Sequence, residues 1–146
     1  MDTINSNRFS IFDLEKYAAK SREVVAEGCV LLRNEEEVLP LEAGVKVALF
    51  GRSQFNYYKS GTGSGGLVNT TYVVGINDAL EACETIEVNK CVKKAYEEWL
   101  TDHPFDAGHG WATEPWFQEE MPLSDELIAA AKEASDVAVI IIGRTA

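Results

Sequence analysis

Basic residues are scarce in this 146-residue chain: 13 lysines and arginines stand against 24 aspartates and glutamates, a formal net charge of -11. A surface that binds nucleic acid or an anionic membrane needs clustered lysine and arginine, so neither partner fits. Long apolar runs are missing too, and no stretch reaches the roughly 18 residues of a membrane span. The N-terminus, Met-Asp-Thr-Ile-Asn-Ser-Asn, lacks a basic start followed by an apolar segment. Together these point to a cytoplasmic protein. The 3 cysteines, Cys29, Cys83 and Cys91, are odd in number and have no metal-ligand spacing. They read as reduced core thiols, with Cys29 inside an apolar run.

Familiar catalytic and cofactor constellations are also lacking. His103 and His109, near Asp102, Asp106 and Glu114, match no helical or knuckle arrangement of metal ligands, so no metal is expected and loop polarity accounts for them. Ser53 and Ser64 have no histidine at a recognisable spacing, and no pair of carboxylates stands out among so many acids. No catalytic residue is assigned. No Gly-Lys-Ser/Thr follows the glycines, which excludes a P-loop.

What is present is one domain's worth of chain with α/β patterning. Residues 1–12 form a polar extension, and residues 13–146 read as one domain. Leu14, Tyr17, Ala18, Ser21, Val24, Val25 and Gly28 recur at helical spacing, and the glycine ends the helix. Cys29–Arg33 has the length of a buried strand, and 34–37 a solvated acidic turn. After Lys46, Val-Ala-Leu-Phe50 is an apolar run of the kind expected for a central parallel strand covered on both faces. Val73–Cys83 reads as a helix with Asn77 as its cap and Ile76, Leu80 and Cys83 inside. Residues 85–88 alternate as a strand. Val92, Ala95, Tyr96, Trp99 and Leu100 mark a second helix. Residues 101–123 show no period and form a long loop or insertion, whose Trp111, Trp116 and Phe117 either stack on a ligand or anchor the loop. Ser124 caps a last helix with Leu127, Ile128 and Ala131 inward. Asp136–Gly143 has the pattern of a central buried strand. The expected fold is α/β, a doubly wound and mostly parallel sheet flanked by helices, with ligands at the carboxyl ends of the strands. A central strand that stops at Arg144-Thr-Ala146 suggests a truncated domain.

The stretch Lys59-Ser-Gly-Thr-Gly-Ser-Gly-Gly-Leu67 holds 4 glycines within six consecutive residues. Such a run forms neither helix nor strand; it is a solvated turn or a backbone surface that a ligand approaches closely. Gly61, Gly63 and Gly66 satisfy Gly-x-Gly-x-x-Gly, yet they do not follow the strand directly, and 67–72 is not a helix start, so the dinucleotide reading loses its context. Ser64 and Thr62 hydroxyls with exposed amides suit the hydroxyls of a neutral ligand such as a sugar. A non-catalytic nucleotide- or sugar-binding α/β module stays open as an alternative, as does a docking role for 111–117.

Ala18–Glu35, Val38-Leu-Pro-Leu41, Val45–Gly51 leading to Gly61-Thr-Gly-Ser-Gly65, and Ala134–Gly143, in that order, resemble the α/β-sandwich domain of glycoside hydrolase family 3, the β-glucosidase family. The resemblance runs from about Lys16 to the end and is weakest at 101–123. It implies a hydrolase of terminal non-reducing β-D-glucosyl residues that needs no cofactor. It also implies a (β/α)8 barrel elsewhere in the parent chain as the source of the nucleophile, and an acid/base glutamate past Ala146. With the sandwich segment so near the first residue, the chain is similar to the members in which the sandwich precedes the barrel. The family's Ser-Asp-Trp nucleophile pattern is absent. By the resemblance Ser64 reaches the glycone in the −1 subsite, Thr62, Gly63 and Gly65 shape the approach, and Lys59 sits at the rim. The implied partners are a β-glucoside, the barrel and, as an open option, a second copy in a homo-oligomer. Residues 1–146 alone are expected to be inactive.

Overall fold

The computed structural model describes residues 13–56, 72–110 and 113–143. They fall into two units that divide after Pro40. In the first, helix α1 (Leu14–Gly28) starts where the Asp13 carboxylate accepts the Lys16 N–H at 3.0 Å, and ends with the Cys29 N–H on the Ala26 carbonyl. The helix is the one the periodicity predicts, but none of its residues is buried. Residues 29–33 differ from expectation. They form no strand, and Val30 and Leu32 are 77% and 92% exposed. Cys29 and Cys91 are exposed rather than core thiols, and Cys83 is half-buried. The acidic turn is a 3₁₀ turn (Glu35–Glu37), closed by the Asn34 amide, which donates to the Leu39 carbonyl and accepts the Leu39 N–H.

The second unit is an α/β layer structure. Three strands, β1 (Lys46–Phe50), β2 (Glu87–Val88) and β3 (Val137–Ile140), run parallel in the order β2-β1-β3. Because successive strand side chains point to opposite faces, β1 feeds two cores. Ala48 packs with Val92, Tyr96, Met121 and Ala131, from helices α3 (Lys90–Asp102) and α4 (Asp125–Glu133) and the segment between them. Val47 and Leu49 pack with Val88, and Leu80 of helix α2 (Ile76–Glu81) lies against them. Helices thus cover both faces, which is the doubly wound arrangement predicted. Val47, Leu49 and Val92 are fully buried, each contributing about 1.5–3 kcal/mol of transfer free energy.

Local chemistry accounts for the helix ends. The Asn89 side-chain Oδ1 accepts the Cys91 and Val92 N–H groups at 2.9 and 3.1 Å, and its side-chain amide donates to Ser135 Oγ. Ser124 caps α4 as expected, accepting the Leu127 N–H. Asn77 does not cap α2. It lies inside the helix and is buried, while Gly75 takes the cap position and the Asp78 carboxylate accepts the Gly75 N–H. The strand β3 is shorter than predicted and lies at the sheet's margin. Ile140 and Ile142 are 70% and 88% exposed, because among the described residues no strand pairs with its outer edge. Ile128 of α4, expected inside, is half-exposed as well.

Candidate functional site

In a parallel sheet the carboxyl ends of the strands are where ligands gather. Here that edge is built with more restraints than a turn needs. Gly51 follows β1 with φ 102°, and a Cβ there would stand 2.1 Å from the Ile141 carbonyl oxygen beyond β3. Only glycine lets the two strand ends close, with the Ile141 N–H donating to the Phe50 carbonyl at 2.8 Å. A 3₁₀ turn (Arg52–Gln54) comes next, and all three of its side chains are buried. The Gln54 amide donates to the Leu49 and Gly51 carbonyls at 3.0 and 3.1 Å, anchoring the turn on its own strand.

Two backbone donors and one cation tie this turn to distant parts of the chain. The Gly51 N–H donates to the Tyr96 hydroxyl at 2.8 Å, and the Arg52 N–H donates to Glu120 Oε2 at 2.9 Å. The Arg52 guanidinium donates to the carbonyls of Glu119 at 2.6 Å and His103 at 2.9 Å. It also lies 5.3 Å from the centre of the Trp99 ring, on which the His103 imidazole stacks at 4.2 Å. Arg52 is 3% exposed, and among the described residues its Nε has no hydrogen-bond partner. The aperiodic segment after α3 is therefore pinned at both ends by one side chain. It is stitched internally too. The Gln118 amide exchanges hydrogen bonds with the Asp106 backbone at 3.0 and 2.8 Å, and Thr113 Oγ1 accepts the His109 N–H. Between this segment and the strand ends lies a cleft of about 300 Å³, walled by Gly51, Arg52, Ser53, Gln118, Glu120 and Ile142 among others.

Burial pushes the Tyr96 phenol up from 10.0 to about 12; the Gly51 N–H acts in the opposite sense and the neighbouring Glu120 carboxylate in the same one. The folded state holds a proton that the unfolded chain has already released above pH 10. The contribution of Tyr96 to stability is therefore fully present below pH 10 and is lost as pH rises towards 12. Alkaline denaturation followed by circular dichroism is expected to show this decline, and Tyr96→Phe is expected to remove it. A Phe variant that loses stability over the same interval as the wild type would contradict the assignment.

The sites expected from sequence map unevenly onto this edge. Lys59, Thr62, Gly63, Ser64 and Gly65 lie outside the described residues, as do Tyr57, Tyr58 and Trp111. His103 is spent on Trp99, its Nδ1 lying 3.0 Å from the Trp99 carbonyl oxygen. Among the described residues no group of three or more His, Cys, Asp or Glu side chains is placed to hold a metal. Trp116 and Phe117 are 78% and 74% exposed. Arg52, Glu120 and the Tyr96 hydroxyl were not singled out by sequence. The one signal available was position, a Gly-Arg-Ser triplet directly after an apolar parallel strand.

Comparison with known proteins places this edge in context. Residues 29–146 match the family model described as the glycosyl hydrolase family 3 C-terminal domain. A β-glucosidase of Ruminococcus albus is 52% identical over 134 residues, covering 92% of this chain and 14% of that protein. The solved structure of a β-glucosidase from Paenibacillus barengoltzii superposes with a TM-score of 0.85 at 56% identity, over 90% of this chain and 14% of that one. The β-glucosidase 3B of Thermotoga neapolitana, solved in complex with glucose, gives a TM-score of 0.78 at 34% identity, over 92% of this chain and 18% of that one. The chain thus spans about one-seventh of the length of the first two.

Proposed function

Because the chain belongs to glycosyl hydrolase family 3, whose C-terminal domain it carries, we propose that it is one portion of a cytoplasmic β-glucosidase acting on terminal non-reducing β-D-glucosyl residues. The domain supplies sugar contacts through the glycine-serine stretch, and a barrel domain outside these residues supplies the nucleophile. Ser64 hydrogen-bonds the glycone, Thr62, Gly63 and Gly65 shape its approach, and Lys59 stands at the rim. The observation that carries this reading is the edge just described: the buried turn 52–54 stands at the carboxyl end of β1 and leads within a few residues into the glycine-serine sequence. Ligands of open α/β sheets bind at that end of the strands.

The chemistry asks for little else from this domain. Retaining glycosidases work with two carboxylates about 5–5.5 Å apart, and neither is assigned to residues 1–146. The domain's share is to orient the sugar, which neutral donors and acceptors do without competing for the reacting proton. The test is hydrolysis of an aryl β-D-glucoside by the full-length parent and by residues 1–146 side by side. Turnover by the parent and none by the shorter chain is the expected result. Clear turnover by residues 1–146, or a parent inert towards β-glucosides, would overturn the reading.

A further inference from the structure

The cleft beyond β1 and β3 is lined by two buried polar side chains whose hydrogen-bonding capacity the fold does not use up. Ser53 is 7% exposed, and among the described residues its hydroxyl has no hydrogen-bond partner. Arg52 lines the cleft as well, with Nε unpaired among the described residues. A buried polar group without a partner is unfavourable, a deficit that a ligand's polar group would remove. Glu120 borders the same cleft. Its Oε2 accepts the Arg52 N–H at 2.9 Å and its Oε1 the Met121 N–H at 3.0 Å, so the plane of the carboxylate is fixed. The side chain is nevertheless exposed, and each oxygen keeps a second lone pair for a further donor. Other parts of the wall are apolar: Leu123, Ile140 and Ile142 line the cleft and are all exposed.

This mixture selects one class of ligand. An anion would meet the Glu120 carboxylate at close range, and a cation the buried Arg52 guanidinium. A wholly apolar ligand would cover Ser53 and Glu120 and leave both unpaired. A neutral ring with hydroxyls at its rim and C–H groups on its faces suits both kinds of wall. The volume of about 300 Å³ is at the lower limit for small-molecule sites, room for one such ring rather than a chain of them. We propose that this cleft is a binding site for a single neutral pyranose unit, held by hydroxyl contacts to Ser53 and Glu120 with its C–H face on Leu123, Ile140 and Ile142. The ligand class follows from the cleft's own side chains and not from Ser64, so it holds whether or not the parent hydrolyses β-glucosides.

Calorimetric titration into the full-length parent tests this, with glucose as the neutral probe and glucuronate as its acidic counterpart. Calorimetry reads stoichiometry as well as affinity, so a weakened cleft is visible even where glucose occupies a further site. E120Q keeps the size of the side chain but removes its charge and turns one acceptor into a donor. It is expected to weaken a glucose site by about tenfold, the loss of one hydrogen bond to a charged group. Glucuronate should bind no less tightly than to wild type, so the preference for the neutral sugar narrows. S53A breaks no hydrogen bond among the described residues, and it is expected to weaken the same site about fivefold without lowering the melting temperature. Should E120Q fail to fold, S53A carries the test. Wild-type glucose affinity at every site in both variants would overturn the proposal. Equal weakening of glucose and glucuronate in E120Q would do so too, since a carboxylate that only braces the Arg52 turn does not tell them apart. A parent inert towards β-glucosides that still loses glucose affinity in S53A would overturn the hydrolase reading and leave the cleft's assignment standing.

Discussion

Gly51→Ala is expected to destabilise the fold more than any other conservative change at the strand ends. Two costs combine there. A side chain at φ 102° occupies backbone space that L residues rarely adopt, a penalty of about 1–3 kcal/mol. In addition, the new Cβ would meet the Ile141 carbonyl oxygen at 2.1 Å, which only separation of the β1 and β3 ends can relieve. Separation would also lengthen the Ile141 N–H to Phe50 carbonyl bond and pull Gly51 from the Tyr96 hydroxyl. The sum is more than about 4 kcal/mol, a large share of the roughly 5–15 kcal/mol that holds a domain together. Gly44→Ala is the matched control: its φ is 88°, but an added Cβ would find nothing within 4 Å. That variant should lose only the backbone strain, about 1–3 kcal/mol. Urea denaturation of the two variants separates clash from strain. If Gly51→Ala unfolds at the same urea concentration as Gly44→Ala, the close approach of β3 is not what demands glycine.

The contrast between these two glycines bears on what the sequence could reveal. The strand β1 is legible because a parallel strand buried on both faces is apolar at every position, and Val47 to Leu49 satisfy both cores at once. Helix α3 is legible because Val92, Ala95, Tyr96 and Trp99 fall on one stripe. Periodicity reports which side of an element is apolar, not what stands opposite it. The runs 29–33 and 137–142 have the composition of buried strands, yet Val30 and Leu32 in the first and Ile140 and Ile142 in the second are exposed, since burial needs a partner that composition does not specify. The clamp at Arg52 was illegible for a related reason. Its partners, His103 and Glu119, lie 51 and 67 positions away and offer backbone carbonyls, which every residue has. The aperiodic stretch 101–123 looked like an insertion because its order comes from such bonds and from single pairs like Asp106 with Gln118, neither of which leaves a repeat. The glycine-serine stretch was the opposite case. Composition alone marked it as a candidate ligand surface.

Tyr96 joins the packed core to the candidate site, and truncating it in two steps is expected to separate these roles. Tyr96→Ala removes one of the largest fully buried side chains, from among Ala48, Val92, Met121 and Ala131. It also strips the Gly51 N–H of its acceptor. Deleting a buried aromatic costs about 3–5 kcal/mol, since the surroundings collapse only partly into the space. Tyr96→Phe keeps the ring and gives up only the hydroxyl, for about 1–3 kcal/mol as a buried donor loses its partner. Urea denaturation should therefore place the Phe variant much nearer to wild type than the Ala variant. In the full-length parent the expected order on activity differs. The Phe variant already frees the Gly51 N–H, so its kcat/KM for an aryl β-glucoside should fall further than its small loss of stability explains, because enough folded enzyme remains for stability alone to leave the rate unchanged. A Phe variant with wild-type kcat/KM would mean that the hydroxyl serves the core alone. A loss in kcat/KM at nearly full stability would mean that the core, through one phenol, holds the end of β1 in the position the sugar requires.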